Sequence, residues 1–343
     1  MASLASQADS PSQGLTSRGG GWQAAWAQAV RCPTELCRLL HLPSALADDA
    51  VRAGGAFGLL VPRPFLARIR PSDPDDPLLV QVMPQAAEQA KVPGYQADPL
   101  DEARATVSPG LLRKYRGRFL MVPTGACAVH CRFCFRRHVR YGDMLPAGAD
   151  WEAALRQIAA DESIREVILS GGDPLTLKDA ELGELAGRLA EIPHLRRLRV
   201  HTRLPIVIPA RVTDELLHGL RATRLTPVVV IHVNHPAEVD DAVAAALARL
   251  VDGGIPVLSQ SVLLRGVNDR AEVLAELCER LVDLRVIPYY LHQLDRVAGA
   301  AHFEVPVPTG MKLIERLRAR LPGYAVPRYV RETPAASSKT VLA

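Results

Sequence analysis

The chain of 343 residues contains little lysine: Lys91, Lys114, Lys178, Lys312 and Lys339 are the only five, and every other basic residue but histidine is arginine. In such a chain a lysine is less readily an ordinary solvated charge. No apolar run approaches the roughly 18 residues a membrane-spanning helix needs. The first 21 residues (MASLASQADSPSQGLTSRGGG) lack the apolar core of a secretory signal. Basic and acidic residues, 41 against 37, are mixed along the chain, and a net charge of +4 is too slight to define a nucleic-acid surface. There is no repeat of fixed period and no heptad pattern. These absences predict a soluble, cytoplasmic protein with no membrane or nucleic-acid partner, whose six cysteines stay reduced.

Three of those cysteines stand together in GACAVHCRFCFRRH, as Cys127, Cys131 and Cys134. A disulfide takes two thiols and a structural zinc takes four ligands, so three is an awkward number. One reading completes a zinc site with His130 or His138, although no second CxxC is present. The other is a 4Fe–4S cluster held by three thiolates, with its fourth iron open to an external ligand. Cys32, Cys37 and Cys278 have no such company.

The rest of the chain divides by texture. Residues 1–21 are rich in Ser, Gly and Gln and read as disordered. Residues 22–110 read as a wrap, helical over 22–53 and then rich in proline and loops. Residues 111–302 alternate short β-branched runs with amphipathic helices. The runs are 119–122, 166–170, 198–201, 227–233, 255–262 and 286–291. Helices are predicted near 151–161, 179–190, 213–222, 237–251 and 270–284. Six β/α units define an α/β fold with a parallel sheet, rolled or open. Residues 303–343 hold one more helix, 309–320, and a short polar tail ending soon after Lys339.

In parallel sheets the working residues sit beyond the C-terminal strand ends. There this sequence places the three cysteines, then Gly171-Gly172-Asp173, Thr202-Arg203, Asn234-His235, His292 and Asp295, with His232 and Gln260 inside their strands. Polar groups that apolar strands do not need thus collect at one end. Lys114, Tyr115 and Arg118 form a basic stretch before the first run, either a solvated loop or a phosphate patch. Lys339 is either a surface charge or a Schiff-base lysine.

The C-x3-C-x2-C spacing after the first strand resembles the radical S-adenosylmethionine (SAM) enzymes, and SGGDP (170–174) resembles their glycine-rich SAM motif, in which Asp173 would accept from the SAM ammonium. RKYRGRFLMVPTGACAVHCRFCFRRH, ILSGGDPL, VNHPAE, SQSVLLRGVND, YYLHQLDRVAGAAHF and GYAVPRYVRE followed by Lys339 resemble the lysine 2,3-aminomutase family over residues 60–343. The resemblance implies a partial (β/α)6 TIM-like radical SAM barrel with a helical N-terminal region and a C-terminal tail carrying a lysine for pyridoxal phosphate (PLP). It implies that Cys127, Cys131 and Cys134 ligate the 4Fe–4S cluster, that Gly171, Gly172 and Asp173 line SAM, and that Lys339 holds PLP. Lys114, Tyr115 and Arg118 would contact PLP, with His232 and Gln260 beside the cofactors. Arg136 would take the carboxylate of L-lysine, and Asp295 and Glu332 its distal ammonium.

The length resembles the branch that makes (R)-β-lysine for elongation factor P, which implies a link to that factor and its lysine ligase and to an external electron donor of flavodoxin or ferredoxin type. The four residues after Lys339 leave no room for the zinc ligands of the clostridial branch, so no zinc is expected. The chain departs from that branch in three places: Phe133 replaces a histidine, Glu332 an aspartate, and Pro334–Ser338 a glycine run. Two alternatives stand beside this reading: an aminomutase making free β-lysine for secondary metabolism, and a non-catalytic zinc module gripping phosphates through Arg132, Arg136, Arg137, His138 and Arg140.

Overall fold

The computed structural model describes residues 21–55, 57–145 and 151–343. The disorder expected over 1–21 falls, except for Gly21, outside those residues. Three short helices open the described chain, α1 (Trp22–Ala27), α2 (Pro33–Leu39) and α3 (Ser44–Gly54), where helical periodicity was expected. The proline-rich stretch that follows contributes only single turns, α4 (Arg63–Leu66) and α5 (Glu102–Ala105), with a 3-10 turn over Ala86–Gln89.

One sheet then runs through the molecule, each strand beside its successor in sequence. β1 (Thr106–Ser108) and β2 (Leu111–Tyr115) are antiparallel, and β2 is antiparallel to β3 (Arg118–Thr124). From β3 onward the sheet is parallel through β4 (Glu166–Gly171), β5 (Arg197–Thr202), β6 (Thr226–His232), β7 (Val257–Leu263) and β8 (Ile287–Gln293). These six strands are the runs expected from sequence. Four strands were not expected: β1 and β2 before the six, and after them β9 (Arg328–Arg331), which joins β8 in parallel, and β10 (Thr340–Val341), which returns antiparallel to β9. Because β1 and β10 lie at opposite ends of the order, the architecture is a partial barrel, widened at both edges by short strands.

The crossovers carry the helices. A turn, α6 (Tyr141–Met144), follows the cysteine loop, and α7 (Glu152–Ala160) leads into β4. Then come α8 (Asp179–Ala190), α9 (Leu204–Val207), α10 (Asp214–Arg221), α11 (Asp241–Asp252), α12 (Ala271–Asp283) and α13 (Val307–Arg320). Local chemistry sets their starts: Thr213 Oγ1 accepts from the Leu216 amide at 3.1 Å, and Asp240 Oδ1 from the Val243 amide at 2.9 Å. Helix α11 buries Val243, Ala246, Leu247 and Leu250, one face of a 3.6-residue period. Each leucine buried this way stabilises the fold by about 1.5–3 kcal/mol.

Strand periodicity decides what faces inward. In β5, Leu198 and Val200 are buried in the core, while Arg199 and His201 alternate with them and face a central cavity. No helix among the described residues is long and apolar enough to cross a membrane.

Candidate active site

The cavity, of about 450 Å³, is walled by β2 to β10 and the cysteine loop. It brings together Lys114, Tyr115, Arg118, Cys131, Cys134, Arg136, His232, Gln260, Asp295, Glu332 and Lys339, eleven residues singled out in the sequence. His232, Gln260 and Tyr290 stand abreast on β6, β7 and β8, because their backbones are in register. Cys127, Gly171, Gly172 and Asp173 do not line it.

The N-terminal wrap holds the cysteine loop in place. Trp26 Nε1 donates to the Cys127 carbonyl at 3.1 Å, the His130 amide to Leu60 O at 3.0 Å, and the Arg132 amide to Gln81 O at 2.8 Å. Phe133 packs near His232, ring centroids 5.5 Å apart, and edge-on to Phe303. Burial raises all three thiols. Cys127 stands well above its ordinary value, pushed further by Cys134, Asp173 and Cys131, and Cys134 is pushed to about 11. For Cys131 the Arg203 guanidinium opposes the rise. A metal group bound there would have to displace those protons on coordination. Among the described residues no three His, Cys, Asp or Glu side chains converge on a single ion. Three thiols on one loop fit a 4Fe–4S cluster that keeps one iron open to an external ligand.

The glycine loop meets the cysteine loop at the closest range available to a backbone. A Cβ on Gly172 would lie 2.3 Å from Ala126 O, and one on Gly171 (φ +105°) would lie 2.2 Å from Val122. The ligand role expected of the Asp173 carboxylate needs correction. Its Oδ1 accepts from the Leu175 amide at 3.0 Å and from Thr202 Oγ1 at 2.7 Å, and its Oδ2 from the amides of Arg203 at 2.7 Å and Leu204 at 3.0 Å. Four internal donors fill the carboxylate, so Asp173 ties β4 to β5 rather than reaching for an ammonium.

A chain of alternating charges crosses the cavity. Arg136 grips Glu102 with Nε at 2.7 Å and Nη2 at 2.8 Å. Glu102 also accepts from Lys114 at 3.1 Å; Lys114 pairs with Glu332, and Glu332 with Lys339. Burial opposes ionisation of both acids, yet the cations hold each below the usual carboxylate range, Glu332 by a wide margin through Lys339 and Lys114. Bidentate binding of a substrate carboxylate by Arg136 therefore needs correction too. That edge is taken by Glu102, and the remaining Nη1 lies 3.3 Å from Ser170 Oγ. Glu102 is a site residue that sequence reasoning missed; a lone glutamate in a proline-rich segment gives no signal of where it packs.

Asp295 differs from its neighbours in that no cation among the described residues forms an ion pair with it. Burial, then the nearby charge of Glu332, raises its pKa to about 7. Its unfolded value is about 3.9, so the folded chain binds the extra proton between those values. This group's contribution to stability is full below about pH 4 and is lost as pH rises through about 7. A diamine's ammonium prefers the ionised form. Stabilisation by added L-lysine is therefore expected to grow from pH 6 to 8 and then level off, read as the lysine-dependent shift in Tm. It should be flat in Asp295→Asn, and a flat wild-type profile would remove Asp295 from the ammonium site.

Beside Lys339 lie buried polar atoms with no hydrogen-bond partner among the described residues: Tyr115 Oη, Arg118 Nε, His201 Nε2 and His292 Nε2. Arg118 has no acid partner among the described residues, and its guanidinium sits 5.0 Å from the centre of the Tyr115 ring. A cation, a phenol and two imidazoles left open next to a lysine fit a phosphorylated aromatic aldehyde such as PLP. Burial lowers His232 and His292 to about 3, so both are neutral imidazoles. Lys114 and Tyr115, read as loop, stand on β2, and Lys339 directly precedes β10.

Of the five residues expected to grip phosphates, His138 and Arg140 are exposed and the other three are turned inward. Arg132 and Arg137 both pair with Glu88, and they and Arg136 are nearly inaccessible.

Residues 121–278 match the model of the radical SAM superfamily. The chain is 44% identical to the L-lysine 2,3-aminomutase of Haemophilus influenzae over 322 residues, covering 94% of this chain and 95% of that one. It is 45% identical to the L-lysine 2,3-aminomutase of Escherichia coli, covering 94% of each. The Clostridium subterminale enzyme of that name is 35% identical, and the match spans 93% of this chain but 77% of the other. The fold and the cysteine loop define a radical SAM protein, a class that implies a 4Fe–4S cluster and SAM. Within it the chain belongs to the L-lysine 2,3-aminomutase family of isomerases.

Proposed function

We propose that this protein moves the amino group of L-lysine from C2 to C3, using PLP in addition to the cluster and SAM. The observation that carries the reading is a single cavity lined by Cys131, Cys134, Lys339, Asp295 and Glu332. The bound cofactors supply what side chains lack, a radical able to take an unactivated hydrogen and a conjugated ring to spread the unpaired electron.

The chain's own residues hold and aim. Cys127, Cys131 and Cys134 would hold the cluster. Lys339 would hold PLP covalently, with Lys114, Tyr115 and Arg118 at its polar edges. Arg136 would meet the substrate carboxylate through Nη1, and Asp295 and Glu332 would take the distal ammonium. Phe133, Phe135, Leu120, Ile168 and Val262 line the same space and would exclude water from it.

We read the product as (R)-β-lysine, made in the cytoplasm for attachment to elongation factor P by its lysine ligase, with electrons from a flavodoxin or ferredoxin. Its motif set and its near end-to-end match with the shorter relatives support that branch.

Reconstituted protein incubated anaerobically with L-lysine, SAM, PLP and reductant is expected to yield β-lysine, resolved by chiral chromatography. Absence of β-lysine from fully iron-loaded protein would overturn the assignment. Adding elongation factor P and its ligase should add the mass of one lysyl unit to the factor faster than α-lysine alone does. Asp295→Ala and Glu332→Ala are each expected to lower kcat/KM for lysine by at least about a hundredfold, roughly 3 kcal/mol. Norleucine, which lacks the distal ammonium, should not turn over. Normal turnover by Asp295→Ala would place the ammonium elsewhere.

A further inference from the structure

One of the three cluster-loop thiols differs from the other two. Cys131 Sγ accepts a side-chain hydrogen bond, from Arg203 Nη1; no side-chain donor to Cys127 or Cys134 Sγ occurs among the described residues. Arg203 follows β5 and is buried, with 5% of its surface exposed. Its other terminal nitrogen, Nη2, donates to Gln81 Oε1 at 2.8 Å and Glu238 Oε2 at 2.9 Å. Its backbone amide donates to Asp173. Phe65 and Phe133 lie within 5.6 Å of the guanidinium carbon.

The anchors are themselves fixed. Glu238 is wholly buried and accepts from the amides of Asn234 at 2.9 Å and His235 at 3.1 Å and from Gln81 Nε2 at 3.2 Å. Asn234 in turn donates to Gln81 Oε1 at 2.9 Å. A long cationic side chain held at one end by an acid and an amide cannot wander, so its remaining nitrogen is aimed at one sulfur. This costs a buried ion pair, which as a rule adds little net stability. A packed apolar side chain would fill the space at no such cost.

We propose that Arg203 is a positioning residue that sets the reduction potential of the cluster through the sulfur of Cys131. The proposal rests on the cluster reading above. One-electron reduction by an external low-potential donor adds negative charge that is shared with the cluster's sulfurs. A cationic donor at one of those sulfurs stabilises the reduced form and makes the electron easier to accept. Gln81 and Glu238 act by holding the guanidinium at that distance, which gives the N-terminal wrap a part in tuning the site.

The test is a redox titration, followed by the electron paramagnetic resonance of the reduced cluster, on reconstituted wild type, Arg203→Lys and the double variant Arg203→Met/Glu238→Gln. The double variant removes one positive and one negative charge together, so the local net charge stays the same and the missing hydrogen bond is isolated. At a fixed poise its ratio of reduced to oxidised cluster is expected to fall at least about tenfold, which is about 59 mV for one electron. Arg203→Lys, which keeps the charge but loses the fork, should fall in between. Wild-type potentials in both iron-loaded variants would overturn the proposal. So would failure of both to fold or to load iron, because Arg203 would then serve the frame of the loop and not its potential. Wild type that cannot be loaded with about four irons would instead overturn the cluster reading itself.

Discussion

Lys339→Ala protein is expected to make no β-lysine while keeping its iron and its reductive cleavage of SAM. The amine of Lys339 faces the cavity, paired with Glu332 and 6.0 Å from the centre of the Tyr115 ring. The cysteine loop lies on another wall and gains nothing from it. Of the five lysines, only Lys114 and Lys339 line the cavity, and Lys114 is spanned by two carboxylates, Glu102 and Glu332. Borohydride reduction of PLP-loaded wild type followed by peptide mass spectrometry should therefore find the adduct on Lys339. An adduct on Lys114 would exchange the two roles, and turnover by Lys339→Ala would remove it from the chemistry.

Alanine at Cys127, Cys131 or Cys134 is expected to abolish both the iron–sulfur absorbance and the release of 5′-deoxyadenosine. Three ligands leave none to spare: two thiolates cannot hold a cluster that needs three while one iron stays open to SAM. Cys278 is the control. It is buried on the barrel side of α12 in an apolar cluster with Leu274, Leu291 and Ile314, where a thiol acts as a small hydrophobe. Cys278→Ala should keep the iron and the cleavage activity. Iron analysis and chromatography of the nucleoside decide both cases, and a Cys131→Ala protein that still cleaved SAM would exclude the three-thiolate cluster.

The barrel was legible because each of its strands is long enough to show β-branched residues and each is followed by a helix of clear period. The edges were not. Arg328–Arg331 and Thr340–Val341 are too short for alternation to register, and Leu111–Tyr115 carries Arg113 and Lys114, which made it read as loop. Their strand state comes from pairing with neighbours, a tertiary effect that local pattern does not record.

The site divides in the same way. Of the residues given a role in the site, all but Cys127, Gly171, Gly172 and Asp173 line one cavity, whereas the partners that occupy them did not show in advance. Glu102 lies 34 residues from Arg136 in sequence and takes two of its nitrogens. The Asp173 carboxylate looked free because three of its four donors, Thr202 Oγ1 and the amides of Arg203 and Leu204, lie about 30 residues away at the end of β5.

The antiparallel pairing of β9 and β10 sets Thr340 opposite Arg331 and Val341 opposite Val330. Glu332 and Lys339 are thus the next rung beyond the paired residues, and the segment between them is a loop that turns at Thr333–Ala336, where the Ala336 amide donates to Thr333 O at 3.2 Å. Along a strand the side chains change face at every residue. The aim of the amine is therefore a matter of parity, counted back from Thr340, and not of suppleness in the loop. The residues between Glu332 and Lys339, 333–338, close the turn, with Ala335 in the left-handed region at φ 61° and Ser338 at the cavity wall. The lysine keeps its place because it has an address along a strand, and a hinge is not required.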